Sequence, residues 1–343
     1  MIGEIITIDP DLKMSTQGHI SGQVSPQTTF DDVFVAPPEG LIFKNYRLSV
    51  PKQVTAQRIK YRVPFGAIYR PQRFDATPVL HLLGKNQSSF GHFFLEHIPR
   101  LLGALTSTVC PCPSEIGVLV SPTSQQMLRE FIQVLGLDNC YPLVLPSRGC
   151  FYSDLIYSEP PDNPFGIFDA NDRKVLSALM HERRLTKSQG SGSIFLSRAT
   201  ASKRKLENEM AVFSVCREFV PDIELVDLGV LDLKAQIACM QEAKLVIGPT
   251  GQAFTSSIFG HEKSVNIVLT KGSPHPFNWA TRFASLATFG DSNGFVVFET
   301  NQKVPFQKGW SYDTGLLRKQ LEVVFEQISK ASALNHKRMH TRI

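Results

Sequence analysis

Leu245-Val-Ile-Gly-Pro-Thr-Gly-Gln-Ala-Phe-Thr-Ser-Ser257 passes from an apolar strand, through a turn marked by Gly248, Pro249 and Gly251, into a short helix. Ile194-Phe-Leu-Ser-Arg-Ala-Thr-Ala-Ser-Lys-Arg-Lys205 makes the same passage through a turn loaded with cations. Around them strand and helix signals alternate: 194–196, a helix from about Ser202 to Phe219, 223–226, a helix from Asp232 to Glu242, 245–247, a short helix, and 265–269. On the first of these helices Leu206, Met210, Phe213, Val220 and either Cys216 or Arg217 recur at spacings of 3 or 4, which predicts the face that packs on a sheet. Strands separated by helices pair in parallel, and ligands then bind beyond their carboxyl ends.

The same rhythm fills the stretch upstream. Strand signals fall at 79–83, 116–121 and 142–145, and helical periods run over 90–105 and 124–135. A further strand signal at 154–157, the turn-rich Glu159-Pro-Pro-Asp-Asn-Pro164, a polar helix near Asp169 to Leu185 and Lys187-Ser-Gln-Gly-Ser-Gly-Ser193 mark a junction. Residues 1–77, with Glu4-Ile-Ile-Thr-Ile8 and Asp32-Val-Phe-Val35, read as strands and turns. The expected organisation is a β-rich N-terminal segment over 1–77, one βα domain over 78–190 and a second over 191–343, finished by a helix signal at 316–328.

Composition narrows the function classes. The chain has 343 residues, 42% apolar and 20% charged, a balance that excludes disorder and collagen. A net charge of +5 is too small to demand nucleic acid, whereas an anionic ligand suffices. Residues Met1 to Lys13 carry Glu4, Asp9, Asp11 and Lys13 and do not read as a signal peptide. The most apolar stretch, Phe90 to Leu105, is broken by His92, Glu96, His97, Pro99 and Arg100, so no membrane span is expected. Six irregularly placed cysteines, among them Cys110-Pro-Cys112, lack the spacing of a zinc knuckle and are expected to be reduced thiols.

Three segments could carry chemistry. Arg198 stands at the carboxyl end of its strand, and with Lys203, Arg204 and the free N–H groups of the next helix it suits a diphosphate; the same charges also fit a solvated helix face. In the second segment Gly251 lets a backbone approach a phosphate or sugar, and Thr255, Ser256 and Ser257 offer hydroxyls. It lacks a Walker lysine and a G-x-G-x-x-G, which argues against a P-loop NTPase and a dinucleotide-fingerprint dehydrogenase, and a plain strand-to-helix turn also accommodates it. The third, Gln87-Ser-Ser-Phe-Gly-His-Phe-Phe-Leu-Glu-His-Ile-Pro-Arg100, puts His92, Glu96 and Arg100 at i, i+4 and i+8 on one polar stripe. That stripe holds either a general base with its orienting partner or a Glu96 to Arg100 ion pair beside a satisfied histidine. Its H-x-x-x-E-H spacing is not that of a zinc protease, and no G-x-S-x-G is present, so neither a metal site nor a serine nucleophile is expected.

Ser89-Phe-Gly-His92, Glu96, Pro99-Arg100-Leu101, then Ser197-Arg198, Arg204 and Asn208-Glu209, then Ala235-Gln236-Ile237, Ala243 and Gly248-Pro249-Thr250-Gly251-Gln252-Ala253-Phe254-Thr255-Ser256 follow one another in an order that resembles the family 61 glycosyltransferases, whose bacterial members are often described as capsular polysaccharide biosynthesis proteins. Thr250 and Ser256 depart from that family's usual histidine and asparagine, so a donor contact through the imidazole is lost or replaced by a hydroxyl. The resemblance implies an α/β, GT-B-like enzyme, two Rossmann-like domains facing a cleft, with the acceptor on the N-terminal one and a nucleotide sugar on the C-terminal one.

It also implies inverting transfer to a surface or capsular polysaccharide or another glycan, free or lipid-linked; because nucleotide sugars are made in the cytoplasm and no export segment is read, the protein is expected there or peripherally at the inner face of the membrane. His92 or Glu96 is then the base, His92 being preferred with Glu96 orienting it, while Arg198, Lys203 and Arg204 offset the charge of the departing diphosphate. Asn208, Glu209, Gly248, Pro249, Thr250, Gly251, Thr255 and Ser256 are the remaining expected donor-site residues, and no metal or other cofactor is expected. The alternative, motivated by Thr250 and Ser256, is a catalytically silent nucleotide- or glycan-binding component of polysaccharide assembly.

Overall fold

Short apolar runs become strands of two sheets in the computed structural model, which describes residues 5–8, 11, 14–17, 27–36, 41–44, 47–48, 72–75, 77–84, 87–106, 115–158, 176, 178–180, 191–260, 264–271, 294–300, 305 and 308–340. The chain divides into two compact units, one formed by Met1–Ile20 and Lys187–Ile343 and the other by Ser21–Thr186. The fold is α/β with parallel strands in both sheets.

β1 (Ile5–Ile8) and β2 (Met14–Gln17) open the chain, followed by β3 (Gln27–Ala36), β4 (Leu41–Lys44), β5 (Arg47–Leu48), β6 (Gln72–Phe74) and β7 (Val79–His81). The strands expected within residues 1–77 therefore go to two different sheets. β1 lies parallel to the last strand of the C-terminal unit, while β3 lies antiparallel to a strand of the Ser21–Thr186 unit.

In the Ser21–Thr186 unit, β7 leads into α1, a continuous helical segment made of Phe90–His92, a π-helical turn Phe93–His97 and Ile98–Thr106. β8 (Ile116–Val120), α2 (Gln125–Leu135), β9 (Cys140–Val144) and β10 (Cys150–Ser158) follow. The sheet runs β5-β4-β3-β10-β7-β8-β9, and its β10, β7, β8 and β9 are parallel. Val33, Val79, Leu119, Leu155 and Tyr157 are buried in its core, and Phe94 of α1 meets Phe131 of α2 edge-on at 5.6 Å. The turn-rich stretch 159–164 and most of the polar helix expected near 169–185 lie outside the described residues.

The C-terminal unit holds β11 (Gly192–Leu196), α3 (Glu209–Phe219), β12 (Glu224–Val226), α4 (Leu233–Glu242), β13 (Ala243–Pro249), β14 (Val265–Lys271), β15 (Gly294–Thr300) and α5 (Thr314–His340). Asp232 caps α4 by accepting the Ala235 N–H at 2.8 Å. The sheet order is β12-β11-β13-β14-β15-β1-β2, and only β2 is antiparallel. One face packs Phe195, Ile247, Ile267, Leu269, Val296 and Phe298 against Val212, Val215 and Cys216 of α3 and Leu317, Leu321 and Val324 of α5.

α3 starts later than the spacing predicts, at Glu209 instead of about Ser202. Main-chain bonds from Trp310 N–H to the Lys205 carbonyl at 3.0 Å and from Glu207 N–H to the Trp310 carbonyl at 2.8 Å hold the preceding residues extended. Met210, expected on the packed face, is exposed, while the expected Cys216 and Val220 are buried beside Val212 and Val215, with Phe213 packed against them.

Strand order reverses at β11, whose neighbours are β12 on one side and β13 on the other, and at β7, flanked by β8 and β10. Connections leave such a strand to opposite sides and open a crevice at its carboxyl end. At the first crevice the strands approach closely: a Cβ on Gly248 would lie 2.8 Å from the Leu196 carbonyl oxygen. Gly248→Ala is expected to destabilise the protein by about 1–3 kcal/mol through overpacking, read as a lower urea midpoint at unchanged slope.

Candidate functional site

At the carboxyl end of β7, α1 begins beside a loop held by Gln87. The Gln87 amide donates to the Leu82 carbonyl and its oxygen accepts the Ser121 N–H at 2.8 Å, tying together the turns after β7 and β8. His92 Nδ1 and Glu96 Oε1 are 2.5 Å apart, with side chains 31% and 15% exposed. A π-helical turn is an uncommon insertion that recurs at functional sites, and here it contains Glu96 and His97.

Arg100 does not pair with Glu96. Fully buried, it donates through Nε to the Ser158 carbonyl at 2.7 Å and through Nη2 to the His81 carbonyl at 2.8 Å. Its Nη1 lies 3.2 Å from both the Leu82 carbonyl and His97 Nδ1. Burial pulls its pKa down to about 10, opposed by Tyr157 and Glu96. Of the two arrangements the stripe allowed, the structure contains the His92–Glu96 pair, and Arg100 serves as a clamp on strand-end carbonyls.

The C-terminal crevice is built around Glu209. Its carboxylate accepts the Ser197 hydroxyl at 2.6 Å and the Arg198 N–H at 2.7 Å, which fixes the turn after β11. The Arg198 guanidinium is left free of that carboxylate; its Nη2 donates to the Lys203 carbonyl at 2.9 Å. It passes so close to Gly251 that a Cβ there would lie 1.7 Å from Nη1. Burial, then Arg204, lowers the Arg198 pKa to about 10, opposed by Glu209 and Asp227. Burial also lowers Arg204, and burial followed by Arg204 lowers Lys271. Three cations thus converge at the ends of β11 and β14. The two guanidinium groups offer charge and donors of the kind that suit an anion with more than one charge, while the Lys271 ammonium is taken up by the Pro305 and Lys308 carbonyls.

The expected donor residues separate into groups. Arg198, Arg204, Thr250 and Gly251 come together beyond β11 and β13, and the buried Arg198 Nε and Thr250 Oγ1 have no hydrogen-bond partner among the described residues. The Lys203 side chain is exposed. Gly248 and Pro249 lie inside β13. Asn208 exchanges hydrogen bonds with the Tyr312 backbone, donating at 2.8 Å and accepting at 3.0 Å, and Glu209 shapes the turn, so both position the site from behind. Thr255 and Ser256 are buried in a 3-10 helix, Gln252–Phe259, and Ser256 donates to Gln236 Oε1 at 3.1 Å. Gln87 and Lys271 were not expected from the sequence; the signal for Lys271 was its place two residues past a predicted strand end. Among the described residues no group of three His, Cys, Asp or Glu is placed to hold a metal ion.

The glycosyltransferase 61 family matches residues 90–267, from the start of α1 to the middle of β14. That span holds the His92–Glu96 pair, the cation turn and the Gly248–Ser256 turn. The chain belongs to this family and is a glycosyltransferase. No curated protein matches the chain.

Removing the Arg100 head group would leave the His81, Leu82 and Ser158 carbonyls without their donor in a buried place. Arg100→Met is expected to cost about 3 kcal/mol or more, measured by urea unfolding; an unchanged midpoint contradicts the clamp.

Proposed function

We propose that the protein is an inverting, metal-independent glycosyltransferase of GT-B architecture that moves a sugar from a nucleoside-diphosphate donor to a hydroxyl of a growing surface or capsular polysaccharide or related glycan. The observation that carries this reading is a division of labour: an arginine pair, with the buried Arg198 Nε not engaged among the described residues, ends one parallel sheet, and a partly exposed imidazole–carboxylate pair ends the other.

His92 Nδ1–H donates to Glu96, which leaves the Nε2 lone pair to take the proton of the acceptor hydroxyl. The acceptor oxygen forms its bond to the anomeric carbon as the bond to the diphosphate breaks, inverting the centre. Charge growing on the leaving oxygen is met by Arg198 and Arg204, with Lys203 at the solvent side. Among the described residues no helix is long and apolar enough to cross a membrane. We place the reaction in the cytoplasm, where nucleotide sugars are made, with a free or lipid-linked acceptor. Transfer is expected to persist in excess chelator, and its loss would refute the metal-free reading.

The rival reading, a silent binding component, draws on the buried Thr250 and Ser256 hydroxyls. Release of free nucleotide from a nucleotide sugar by the purified chain distinguishes the two, since a silent binder releases none.

Two sets of variants test the assignment. Arg198→Ala should weaken nucleotide binding by about 1.5–3 kcal/mol, and Gly251→Ala should act in the same direction by displacing that guanidinium. His92→Ala and Glu96→Ala should leave nucleotide affinity in place, with transfer reduced on the order of 100-fold at the base. Calorimetric titration beside a transfer assay reads both; full transfer by both N-terminal variants overturns the base assignment.

A further inference from the structure

Arg204 has a left-handed backbone at φ 56°, unusual for a long side chain, and such a conformation persists only when its surroundings over-determine it. Both neighbours are held. The Lys203 carbonyl accepts Arg198 Nη2 at 2.9 Å, and the Lys205 carbonyl accepts the Trp310 N–H at 3.0 Å. Trp310 therefore fixes one side of the turn, and its own place is set from two ends. Asn208 grips Tyr312 through two bonds at 2.8 and 3.0 Å. At the other end the Lys271 ammonium donates to the Pro305 carbonyl at 2.7 Å and to the Lys308 carbonyl at 3.3 Å.

Lys271 is 3% exposed at the carboxyl end of β14, and its pKa is lowered by burial and by Arg204. A buried like charge beside Arg204 opposes folding unless its hydrogen bonds offset it. Its hydrogen bonds point at the strap.

We infer that Lys271 is a positioning residue for the donor site: by holding Pro305 and the Lys308–Tyr312 strap against the cation turn it keeps Arg204 in its left-handed conformation beside Arg198. The inference rests on the proposed reading of Arg198 and Arg204 as the anion site. Lys271 acts on the ligand through Arg204, so its contribution to binding exists only while Arg204 is present.

The test is a double-mutant cycle on the full chain, with inorganic pyrophosphate as the probe in calorimetric titration. Lys271→Met should weaken pyrophosphate about tenfold, within the coupling seen between residues of one network. In an Arg204→Ala background the same substitution should change affinity by less than about twofold. An equal loss in both backgrounds would overturn the inference, because Lys271 would then act on the anion directly through its charge. Wild-type affinity in Lys271→Met would also overturn it while leaving the donor site intact. Wild-type affinity in both Arg198→Ala and Arg204→Ala would instead remove the anion site itself, and the inference with it. Asn208→Ala releases the other end of the strap and should show the same dependence on Arg204, which keeps the question decidable should Lys271→Met fold poorly. Circular dichroism and thermal unfolding of each variant separate a general loss of structure from this coupling.

Discussion

Where a parallel strand ends, main-chain groups that its neighbours no longer pair must find partners before the chain can turn into a helix. In each unit one fully or largely buried ionic side chain meets that requirement at the strand where the order reverses. Arg100 gathers the carbonyls of His81, Leu82 and Ser158, and Glu209 gathers the Ser197 hydroxyl and the Arg198 N–H. The signs are opposite because the groups are opposite. Acceptors collect around a guanidinium and donors around a carboxylate.

What each clamp leaves over is the part of its motif that the proposed function uses. Because Arg100 is saturated by carbonyls, Glu96 turns to His92. Because Glu209 binds the Arg198 backbone, the Arg198 side chain keeps its charge directed past Gly251. Residues that look like one polar stripe or one run of charge are thus sorted by hydrogen-bond accounting into those committed to the backbone and those that are not. Asn208 and Glu209 fall in the first group, since their side chains are committed to Tyr312, Ser197 and Arg198.

Much of this was legible in the sequence where the signal is local. Alternating apolar runs located β7 to β9 and β11 to β14, and strand ends pointed to Arg198 and Gly251, because side-chain period and turn glycines are short-range properties. Other features depend on partners far along the chain. The late start of α3 is imposed by Trp310, more than a hundred residues further along. Joining of β1 to β15 is equally invisible, for pairing between the first and last strands leaves no trace in the spacing of either. Gly294-Phe-Val-Val-Phe-Glu-Thr300 is a different case, a short apolar run directly after the turn residues Asp291-Ser-Asn-Gly294, and so a local strand signal that the expected organisation did not include. Lys271 illustrates a third case, in which a lone lysine gains meaning only when topology brings Arg204 to it.

The cation cluster is the one place where the structure opposes itself. Arg198 and Arg204 are drawn together in partly desolvated surroundings, both with lowered pKa values, while the Lys271 ammonium behind Arg204 is committed to the Pro305 and Lys308 carbonyls and Glu209 is held by backbone and hydroxyl instead of by the guanidinium groups. Like charges at this depth repel more strongly than on a wet surface, because the local dielectric is lower. Rigid main-chain bonds at Lys203, Lys205 and Trp310 hold them there against that repulsion. A multiply charged anion reverses the sign of the interaction, so the arrangement that is unfavourable when empty becomes favourable when filled. Binding energy at such a site comes partly from repulsion relieved. On the proposed donor-site reading, that fraction is largest for the state with the most negative charge at the phosphate oxygens, reached as the bond from the sugar to the diphosphate breaks.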